Sequence, residues 1–371
     1  MVALLLKKTI FLIILLIAFS FSAKAVDEPT ISAKSAVVIN AQTKEIFYSK
    51  NAYEKRSMAS TTKIMTSLLA VESGMLGSPV KASNFTAEGT SIGLKNGYIL
   101  RLETLVYGML LESGNDAAKL TANFLAGDEI NFAFSMNEKA KSIGMNSTNF
   151  VTASGLDDEN HYSTAYDMAL LGAYAINNPI FKEICSTKTK RVEYIDPSMT
   201  VTFSNHNRLL DSCEGVFGIK TGFTKKSGRC LVTACCRNDM TFVAVTLNAS
   251  DDWNDHKKLY DYVYETLDQK VINADIPGEM AVYGGEKSNI VINTPKAVFA
   301  LKSNEKIKQK VLLPRILYAP ISKGDVVGKV LFYSSQGLVH TENIYSTEDV
   351  KTITATSKIS FFQRIKNKIF Q

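Results

Sequence analysis

The chain has 371 residues, of which 46% are hydrophobic and 21% are charged. This composition is typical of a folded protein with one large domain and a smaller one, and it excludes a disordered chain. The formal charge is +6 at pH 7, and it falls to about +3 without Lys7, Lys8 and Lys24. Because the body of the chain contains no cluster of cations, we do not expect binding to nucleic acid.

Residues 1–25 have the three parts of a secretory signal peptide. Lys7 and Lys8 form a positive segment, residues 9–21 are apolar, and Ala23-Lys24-Ala25 fits a cleavage site. The alternative is a retained transmembrane anchor, which needs about 20 apolar residues, and this run is shorter. We therefore predict cleavage after Ala25 and a mature protein that acts outside the cytoplasm.

Residues 26–276 are predicted to form the larger domain. A hairpin over residues 35–39 and 45–48 precedes a helix that begins near Ser60 and ends by Gly74. The remaining predicted elements are helices at 102–111, 117–125, 131–143 and 164–176, strands at 218–221, 230–235 and 241–247, and a helix at 256–267. Strands at both ends with helices between them predict an α/β (α+β) domain, in which helices flank an antiparallel sheet.

A second, β-rich domain is predicted over residues 277–352. Pro277-Gly278 marks its start, and short alternating runs follow at 291–292 and 311–313. Turn residues and a further strand are predicted within 321–330.

The C-terminal segment, residues 353–371, has the pattern of an amphipathic helix. Its apolar residues share one helical face, and cations fill much of the remainder (Lys358, Arg364, Lys366, Lys368). This pattern is typical of a helix that lies in a membrane interface. We predict a peripheral anchor that binds the membrane surface on the outer face of the cytoplasmic membrane. The alternative is a helix that packs on the β-rich domain.

The five cysteines are an odd number for an exported protein (Cys185, Cys213, Cys230, Cys235, Cys236). A strand would direct Cys235 and Cys236 to opposite faces. No metal site is predicted, because no Cys-x-x-Cys pair occurs and the four histidines are scattered. We expect buried thiols, with one disulfide involving Cys213 or Cys230 as the alternative.

Ser60-Thr61-Thr62-Lys63 is the first of three segments that can carry chemistry. A serine hydroxyl is a weak nucleophile that needs an adjacent base, and residues at i and i+3 share a helical face. Lys63 can serve as that base only if burial or another cation lowers its pKa. The same spacing of serine and lysine recurs at residues 78–81 and 303–306, so the motif alone is weak.

Two further segments follow in the chain. In Ser113-Gly114-Asn115, a hydroxyl and an amide can face one cleft from a loop, although helix capping is the alternative role. In Lys220-Thr221-Gly222, a cation and a hydroxyl on a strand suit a carboxylate, and the glycine lets a ligand approach the backbone. The alternative for Lys220 is an exposed lysine on an edge strand.

Together and in this order, the three segments are the signature of penicillin-recognising serine enzymes. Within that group the chain resembles the D-alanyl-D-alanine carboxypeptidases, the low-molecular-mass penicillin-binding proteins. The resemblance covers nearly the whole chain after the signal peptide, including residues 57–63, 111–118, 155–158, 163–165 and 218–224. It implies a β-lactamase/transpeptidase-like fold for the larger domain.

The resemblance also implies a reaction. Ser60 would attack the penultimate D-alanine of a peptidoglycan stem peptide ending in D-Ala-D-Ala, and Lys63 would accept its proton. Ser113 and Asn115 would relay the proton and align the peptide. Water would then hydrolyse the acyl-enzyme, so no cofactor or metal is implied. β-Lactams are implied as covalent inhibitors.

The remaining roles implied by the resemblance concern substrate binding. Lys220, Thr221 and Gly222 would bind the terminal carboxylate. The backbone N–H groups of Ser60 and Phe223 would form the oxyanion hole, which is worth about 10²–10³ in kcat per donor. Some family members have histidine where this chain has Phe223, and some have histidine where it has Ser154. These two differences bear on deacylation and substrate fit.

Three other functions compete with this interpretation. A class A β-lactamase would need a glutamate that activates water, for which Glu159 is the nearest candidate, and it would carry Ser-Asp-Asn instead of Ser-Gly-Asn. A non-catalytic penicillin or wall sensor could share the fold. A Ser-His-Asp hydrolase through His206 is disfavoured, because no Gly-x-Ser-x-Gly segment occurs.

Overall fold

The computed structural model describes residues 27–83, 88–301, 306–335 and 337–353. The predicted signal peptide lies outside these residues, and so does the predicted tail helix except for its first residue. Among the described residues, no helix combines the length and the apolar character that crossing a bilayer requires.

The larger domain follows the predicted order of strands, helices and strands. Its elements are β1 Ser35–Asn40, β2 Ile46–Lys50, a 3₁₀ helix Ala59–Thr62, α1 Lys63–Glu72, β3 Pro79–Lys81, β4 Ile99–Arg101, α2 Leu102–Leu110, α3 Asn115–Ala126, α4 Glu129–Ser142, α5 Ala165–Ala175, α6 Pro179–Ser186, β5 Thr189–Tyr194, β6 Met199–Ser204, α7 Leu209–Ser212, β7 Val216–Thr224, β8 Gly228–Arg237, β9 Met240–Ala249 and α8 Asp252–Glu265. Every predicted helix and strand of this domain is present, with ends shifted by a few residues.

Helices α6 and α7, the short strands β3 and β4, and the hairpin of β5 and β6 were not predicted from the sequence. A capping signal for α6 is present, because Asn178 accepts hydrogen bonds from the N–H groups of Ile180 (3.0 Å) and Phe181 (3.2 Å). Pro179 occupies the first turn of the helix, where its missing N–H is no loss. Asparagine followed by proline therefore marks this helix start in the sequence.

A five-stranded antiparallel sheet forms the centre of the domain, in the order β2-β1-β9-β8-β7. Its two faces are buried in separate hydrophobic clusters. One face packs with α1 and α5, and the other packs with α8. Alternate residues of β8 therefore enter different clusters, as Leu231 and Val232 illustrate. The predicted antiparallel sheet flanked by helices is confirmed.

Ser60 is placed at the edge of this sheet by a close backbone approach. A Cβ atom added to Gly222 of β7 would lie 3.0 Å from the backbone nitrogens of both Ser60 and Thr61. Glycine at this position therefore lets β7 lie directly against the 3₁₀ helix that carries Ser60. This contact is a second role for Gly222, beside the close ligand approach that the sequence suggested.

The C-terminal part is β-rich, as predicted. Its strands are β10 Asp268–Asn273, β11 Glu279–Tyr283, β12 Asn289–Val291, β13 Lys296–Leu301, β14 Lys308–Leu312, β15 Leu317–Tyr318, β16 Val326–Ser334 and β17 Gly337–Tyr345. Strand β10 pairs with β13, so the β-rich region includes residues before Pro277. Ile290, Phe299, Phe332 and Ile344 belong to its own hydrophobic cluster.

All five cysteines are free thiols. Cys185, Cys230 and Cys235 are buried, while Cys213 and Cys236 are half-buried. Burial raises the pKa of Cys185 to about 12. The expectation of buried thiols holds for three of the five, and the alternative of a disulfide is wrong in this structure.

Candidate active site

Ser60 and Lys63 lie in contact where the 3₁₀ helix continues into α1. Ser60 belongs to the 3₁₀ helix, and Lys63 is the first residue of α1. The Nζ atom of Lys63 lies 2.9 Å from the Oγ atom of Ser60. The spacing of three residues therefore brings a nucleophile and an amine within hydrogen-bond distance, although the first turn is 3₁₀ and not α-helical.

The side chain of Lys63 is fully buried, and three oxygen atoms lie within hydrogen-bond distance of its Nζ atom. Besides Ser60, its Nζ atom donates to Oδ1 of Asn115 (2.6 Å) and to the carbonyl oxygen of Ser154 (2.7 Å). Burial lowers the pKa of Lys63 well below its usual value, and the charge of Lys220 lowers it further, while Asp116 raises it. Either burial or a neighbouring cation was predicted to make Lys63 a base, and both act here.

Asn115 holds Lys63 from the start of α3. Its Oδ1 atom accepts from Lys63, and its Nδ2 atom donates to the carbonyl oxygen of Glu88 (2.6 Å). These two bonds fix which end of the amide faces the lysine. The capping position of α3 is Gly114, which makes no side-chain bond. The alternative role of Asn115 as a helix cap is therefore wrong.

Ser113 lies at the turn that precedes α3, with a positive backbone φ of 63°. Its side chain is buried but lines the same cavity as Ser60. Among the described residues, none of the hydrogen bonds involves Oγ of Ser113. The hydroxyl is therefore available to a group that enters the cavity.

Lys220 is buried behind the cavity and is not exposed on the edge strand. Its side chain is 1% exposed, and its Nζ atom donates to the carbonyl oxygen of Thr221 (2.9 Å). Burial lowers the pKa of Lys220 to about 7. Thr221 lines the cavity, whereas Lys220 does not. The alternative of an exposed edge-strand lysine is therefore wrong.

A cavity of about 300 Å³ lies beside Ser60. Its lining residues come from helices, strands and loops far apart in sequence: Ser60, Thr90, Ser113, His206, Arg208, Thr221, Gly222, Phe223, Arg229, Asp252 and Trp253. Phe223 is 66% exposed at its wall. Glu159 is exposed and is not among the lining residues. The cavity thus unites the three predicted segments and adds residues that were not predicted from the sequence.

Arg229 is one of these additional residues, and two neighbouring side chains hold it in place. Its Nε atom lies 2.7 Å from Oδ1 of Asp252, whose side chain is buried, and its guanidinium lies over the ring of Trp253. In the sheet, Arg229 is the cross-strand partner of Phe223. The signal available in the sequence was an arginine directly before the apolar run that begins at Cys230.

Asp116 fixes the loop that carries Thr90 into the cavity. Its Oδ2 atom accepts from Oγ of Ser91 (2.5 Å) and from the N–H of Leu94 (3.0 Å). Its Oδ1 atom accepts from the N–H groups of Ile92 and Ala117. One buried carboxylate therefore ties residues 91–94 to the start of α3.

Comparison with protein families matches two regions of the chain. Residues 22–251 match the D-alanyl-D-alanine carboxypeptidase family, and residues 268–352 match the C-terminal domain of penicillin-binding protein 5. The first match covers more than half of the chain and contains every residue of the cavity except Asp252 and Trp253.

Individual relatives agree with these matches. The chain is 30% identical to D-alanyl-D-alanine carboxypeptidase DacF of Bacillus subtilis, over 93% of this chain and 94% of the relative. It is 29% identical to DacC of Escherichia coli, over 90% of this chain and 88% of the relative. The crystal structure of penicillin-binding protein 5 from Haemophilus influenzae is similar with a TM-score of 0.63, 27% identity and coverage of 88% of this chain and 100% of that chain. The chain belongs to the D-alanyl-D-alanine carboxypeptidase family of serine peptidases.

Proposed function

We propose that the protein is a serine-type D-Ala-D-Ala carboxypeptidase, which removes the terminal D-alanine from peptidoglycan stem peptides through an acyl-enzyme. The observation that carries this proposal is the 2.9 Å contact between Nζ of Lys63 and Oγ of Ser60. It lies in a buried site where the pKa of the lysine is lowered well below its usual value. A neutral amine beside a serine hydroxyl is what nucleophilic attack requires.

In the acylation step, the neutral Nζ of Lys63 takes the proton from Oγ of Ser60. The Oγ atom attacks the carbonyl carbon of the penultimate D-alanine, and the N–H groups of Ser60 and Phe223 donate to the oxyanion. When the tetrahedral intermediate collapses, the C–N bond breaks and the leaving amine takes a proton. The terminal D-alanine leaves, and the rest of the peptide stays as an ester on Ser60.

Ser113 and Asn115 support this transfer in different ways. The hydroxyl of Ser113 lines the cavity and can relay the proton of Lys63 to the leaving amine. Asn115 holds Nζ of Lys63 through its 2.6 Å bond and is not among the residues that line the cavity. In deacylation Lys63 takes a proton from a water molecule, whose oxygen attacks the ester carbonyl carbon. The C–Oγ bond then breaks, and Oγ of Ser60 recovers the proton from Lys63.

The terminal carboxylate is proposed to bind at Lys220, Thr221 and Gly222. Thr221 and Gly222 both line the cavity, so the side chain of Thr221 and the backbone of Gly222 can contact the carboxylate. Lys220 lies behind Thr221 and contributes its positive charge through the buried interior, where charges are weakly screened. The position of Lys220 also explains its effect on the pKa of Lys63.

The central test is the release of D-alanine by residues 26–371 from a peptide that ends in D-Ala-D-Ala. We expect release by the wild type, and we expect Ser60→Ala to lose both release and covalent labelling by penicillin. Ser78→Ala is the matched control, because Ser78 begins a second Ser-x-x-Lys segment that does not line the cavity. Retained labelling or release in Ser60→Ala would refute the nucleophile.

The same assays separate the competing functions. A carboxypeptidase stays labelled by penicillin for a long time, whereas a class A β-lactamase turns penicillin over rapidly. A non-catalytic sensor would bind penicillin without releasing D-alanine from the peptide. The exposed position of Glu159, away from the cavity, supports the carboxypeptidase.

We further propose that the mature protein is exported and is held peripherally at the outer face of the cytoplasmic membrane. The pattern of residues 1–25 supports export, and the basic amphipathic pattern of residues 353–371 supports attachment to anionic lipid. Deleting residues 355–371 should move the protein from the membrane fraction to the soluble fraction without loss of D-alanine release. A deletion variant that stays with the membrane would contradict the anchor.

A further inference from the structure

His161 is a buried histidine that contacts the nucleophile turn from behind. Its Nδ1 atom accepts hydrogen bonds from the N–H groups of Val151 (3.0 Å) and Thr152 (3.3 Å). Its Nε2 atom lies 2.8 Å from Oγ1 of Thr62, inside the Ser60–Lys63 segment. The side chain is buried and does not line the cavity.

These contacts define the proton position on the ring. Two N–H donors directed at Nδ1 require a lone pair on that atom, so the ring proton is on Nε2. Burial lowers the pKa of His161 to about 4, so the ring is neutral at physiological pH. The Nε2–H group of His161 therefore donates to Oγ1 of Thr62.

The hydroxyl of Thr62 then has one remaining direction for its proton. Its Oγ1 atom accepts from His161 and lies 2.8 Å from the carbonyl oxygen of Ala59, to which it donates. The Ala59–Ser60 peptide is a planar unit whose C=O and N–H point in opposite directions. A hydrogen bond that fixes the carbonyl of Ala59 therefore also fixes the direction of the N–H of Ser60.

The same peptide is held on two other sides. Ala59 has a positive φ of 48°, a conformation that is uncommon for a residue with a side chain. A Cβ atom on Gly155 would lie only 2.0 Å from the carbonyl oxygen of Ala59, so that loop contacts the carbonyl directly. Thr62, with His161 behind it, supplies the hydrogen bond in this arrangement.

We propose that His161 is a positioning residue of the reaction. Through Thr62 it orients the Ala59–Ser60 peptide, so that the N–H of Ser60 points at the oxyanion. The proposal rests on the oxyanion hole of the proposed function. Because the oxyanion develops only in the transition state, loss of this orientation lowers kcat and the rate of acylation while KM is unchanged.

Two substitutions separate the two sides of the imidazole. Asparagine can place its Oδ1 atom near the position of Nδ1, so His161→Asn keeps the acceptor for Val151 and Thr152 and loses the donor to Thr62. Glutamine can place its amide near Nε2, so His161→Gln keeps the donor and loses the acceptor. If orientation through Thr62 matters, His161→Asn is the slower enzyme, and His161→Gln loses thermal stability but keeps most of its kcat.

The measurements are kcat and KM for D-alanine release, the rate of acylation by penicillin, and Tm. We expect about a 10- to 100-fold lower kcat for His161→Asn and for Thr62→Val, since small displacements of reacting groups have effects of this size. Because both changes act through one hydrogen bond, the double variant should be no slower than the slower single variant.

His256 provides a matched control. It is also buried, it lies between the hydroxyls of Thr233 (2.7 Å) and Thr246 (2.9 Å), and burial lowers its pKa to about 3. It packs on the face of the sheet that α8 covers. His256→Asn should lower Tm and leave kcat unchanged.

The outcomes distinguish this inference from the proposed function. If the wild type releases no D-alanine, the proposed function fails. If the wild type is active and His161→Asn retains its kcat, or if the single effects multiply in the double variant, the role of His161 is overturned. If His161→Asn does not fold, as judged by circular dichroism, Thr62→Val and Thr62→Ser provide the test. A low kcat in Thr62→Val and a kcat near that of the wild type in Thr62→Ser would support the inference. Equal kcat values in the two variants would overturn it.

Discussion

The charge of Lys220 lowers the pKa of Lys63, although the two lysines lie on different elements of the fold. Burial is the larger cause of the lowered pKa, and the like charge adds to it. Asp116 opposes both effects. The base of the proposed reaction is thus adjusted by one cation and one anion, and each can be changed separately.

Removal of the Lys220 charge should move the acid limb of the pH–rate profile to higher pH. In Lys220→Met the pKa of Lys63 rises, so a larger fraction of Lys63 is protonated at a given pH and inactive as a base. The difference is largest below pH 7, because the pKa of Lys220 is itself about 7. The measurement is the acylation rate by penicillin against pH. Each profile is normalised to its maximum, because Lys220→Met also weakens the proposed carboxylate site and so lowers the rate at every pH.

Lys226→Met is the control for this shift, because Lys226 is exposed in the turn between β7 and β8. Its profile should match that of the wild type. An unshifted acid limb in Lys220→Met would show that burial alone sets the pKa of Lys63.

Lys220→Met should also stabilise the fold at neutral pH. In the folded state the pKa of Lys220 is lowered from 10.5 to about 7, so between these values the unfolded chain binds more protons than the folded chain. The free energy of unfolding therefore rises with pH across this window, and the full cost of burying the lysine is present below pH 7. Thermal unfolding against pH should show a higher Tm and a flatter dependence for the variant. A lower Tm for Lys220→Met than for the wild type at pH 7 would contradict the prediction that the buried lysine destabilises the fold.

The sequence predicted the parts of this site that depend on local spacing. Ser60 and Lys63 are three residues apart, and the order of the later segments identified Asn115 and Thr221. It did not predict the carbonyl of Ser154 as a partner of Lys63, because backbone acceptors have no residue-specific pattern. Contacts between distant segments were also missed, because neither partner signals the other in the sequence.

The pair of Arg229 and Asp252 illustrates this second limit. The two residues are 23 positions apart, and only the pairing of β8 with β9 and the start of α8 bring them together. The fold was easier to predict than the site lining, because apolar periodicity repeats over each helix and strand. The hairpin of β5 and β6 was missed although β6 has a strand signal, the alternation of Met199, Val201 and Phe203 with polar residues.

Asp116→Asn should shift the acid limb in the direction opposite to Lys220→Met. Loss of the carboxylate charge removes the cause that raises the pKa of Lys63, so the limb moves to lower pH. The amide also loses an acceptor for one of the four bonds to residues 91–94 and 117, at a cost of about 1–3 kcal/mol. Acylation against pH and chemical denaturation measure the two effects. Asp128→Asn, at an exposed helix cap, is the control and should leave the acid limb unshifted. A shift of the acid limb to higher pH in Asp116→Asn would contradict the prediction.

Gly155→Ala should disrupt the nucleophile turn beyond the cost of its backbone conformation. Gly155 and Gly144 have nearly equal positive φ angles of 86° and 88°. A Cβ at Gly144 would meet only a leucine methyl at 3.9 Å, whereas at Gly155 it would lie 2.0 Å from the carbonyl oxygen of Ala59. Gly144→Ala therefore measures the stability cost of the left-handed conformation alone, which is about 1–2 kcal/mol. Its acylation rate should equal that of the wild type. Gly155→Ala should lose more stability and acylate more slowly, because the displaced carbonyl of Ala59 turns the N–H of Ser60. Equal stability and equal acylation rates of the two variants would show that the loop yields without moving Ser60.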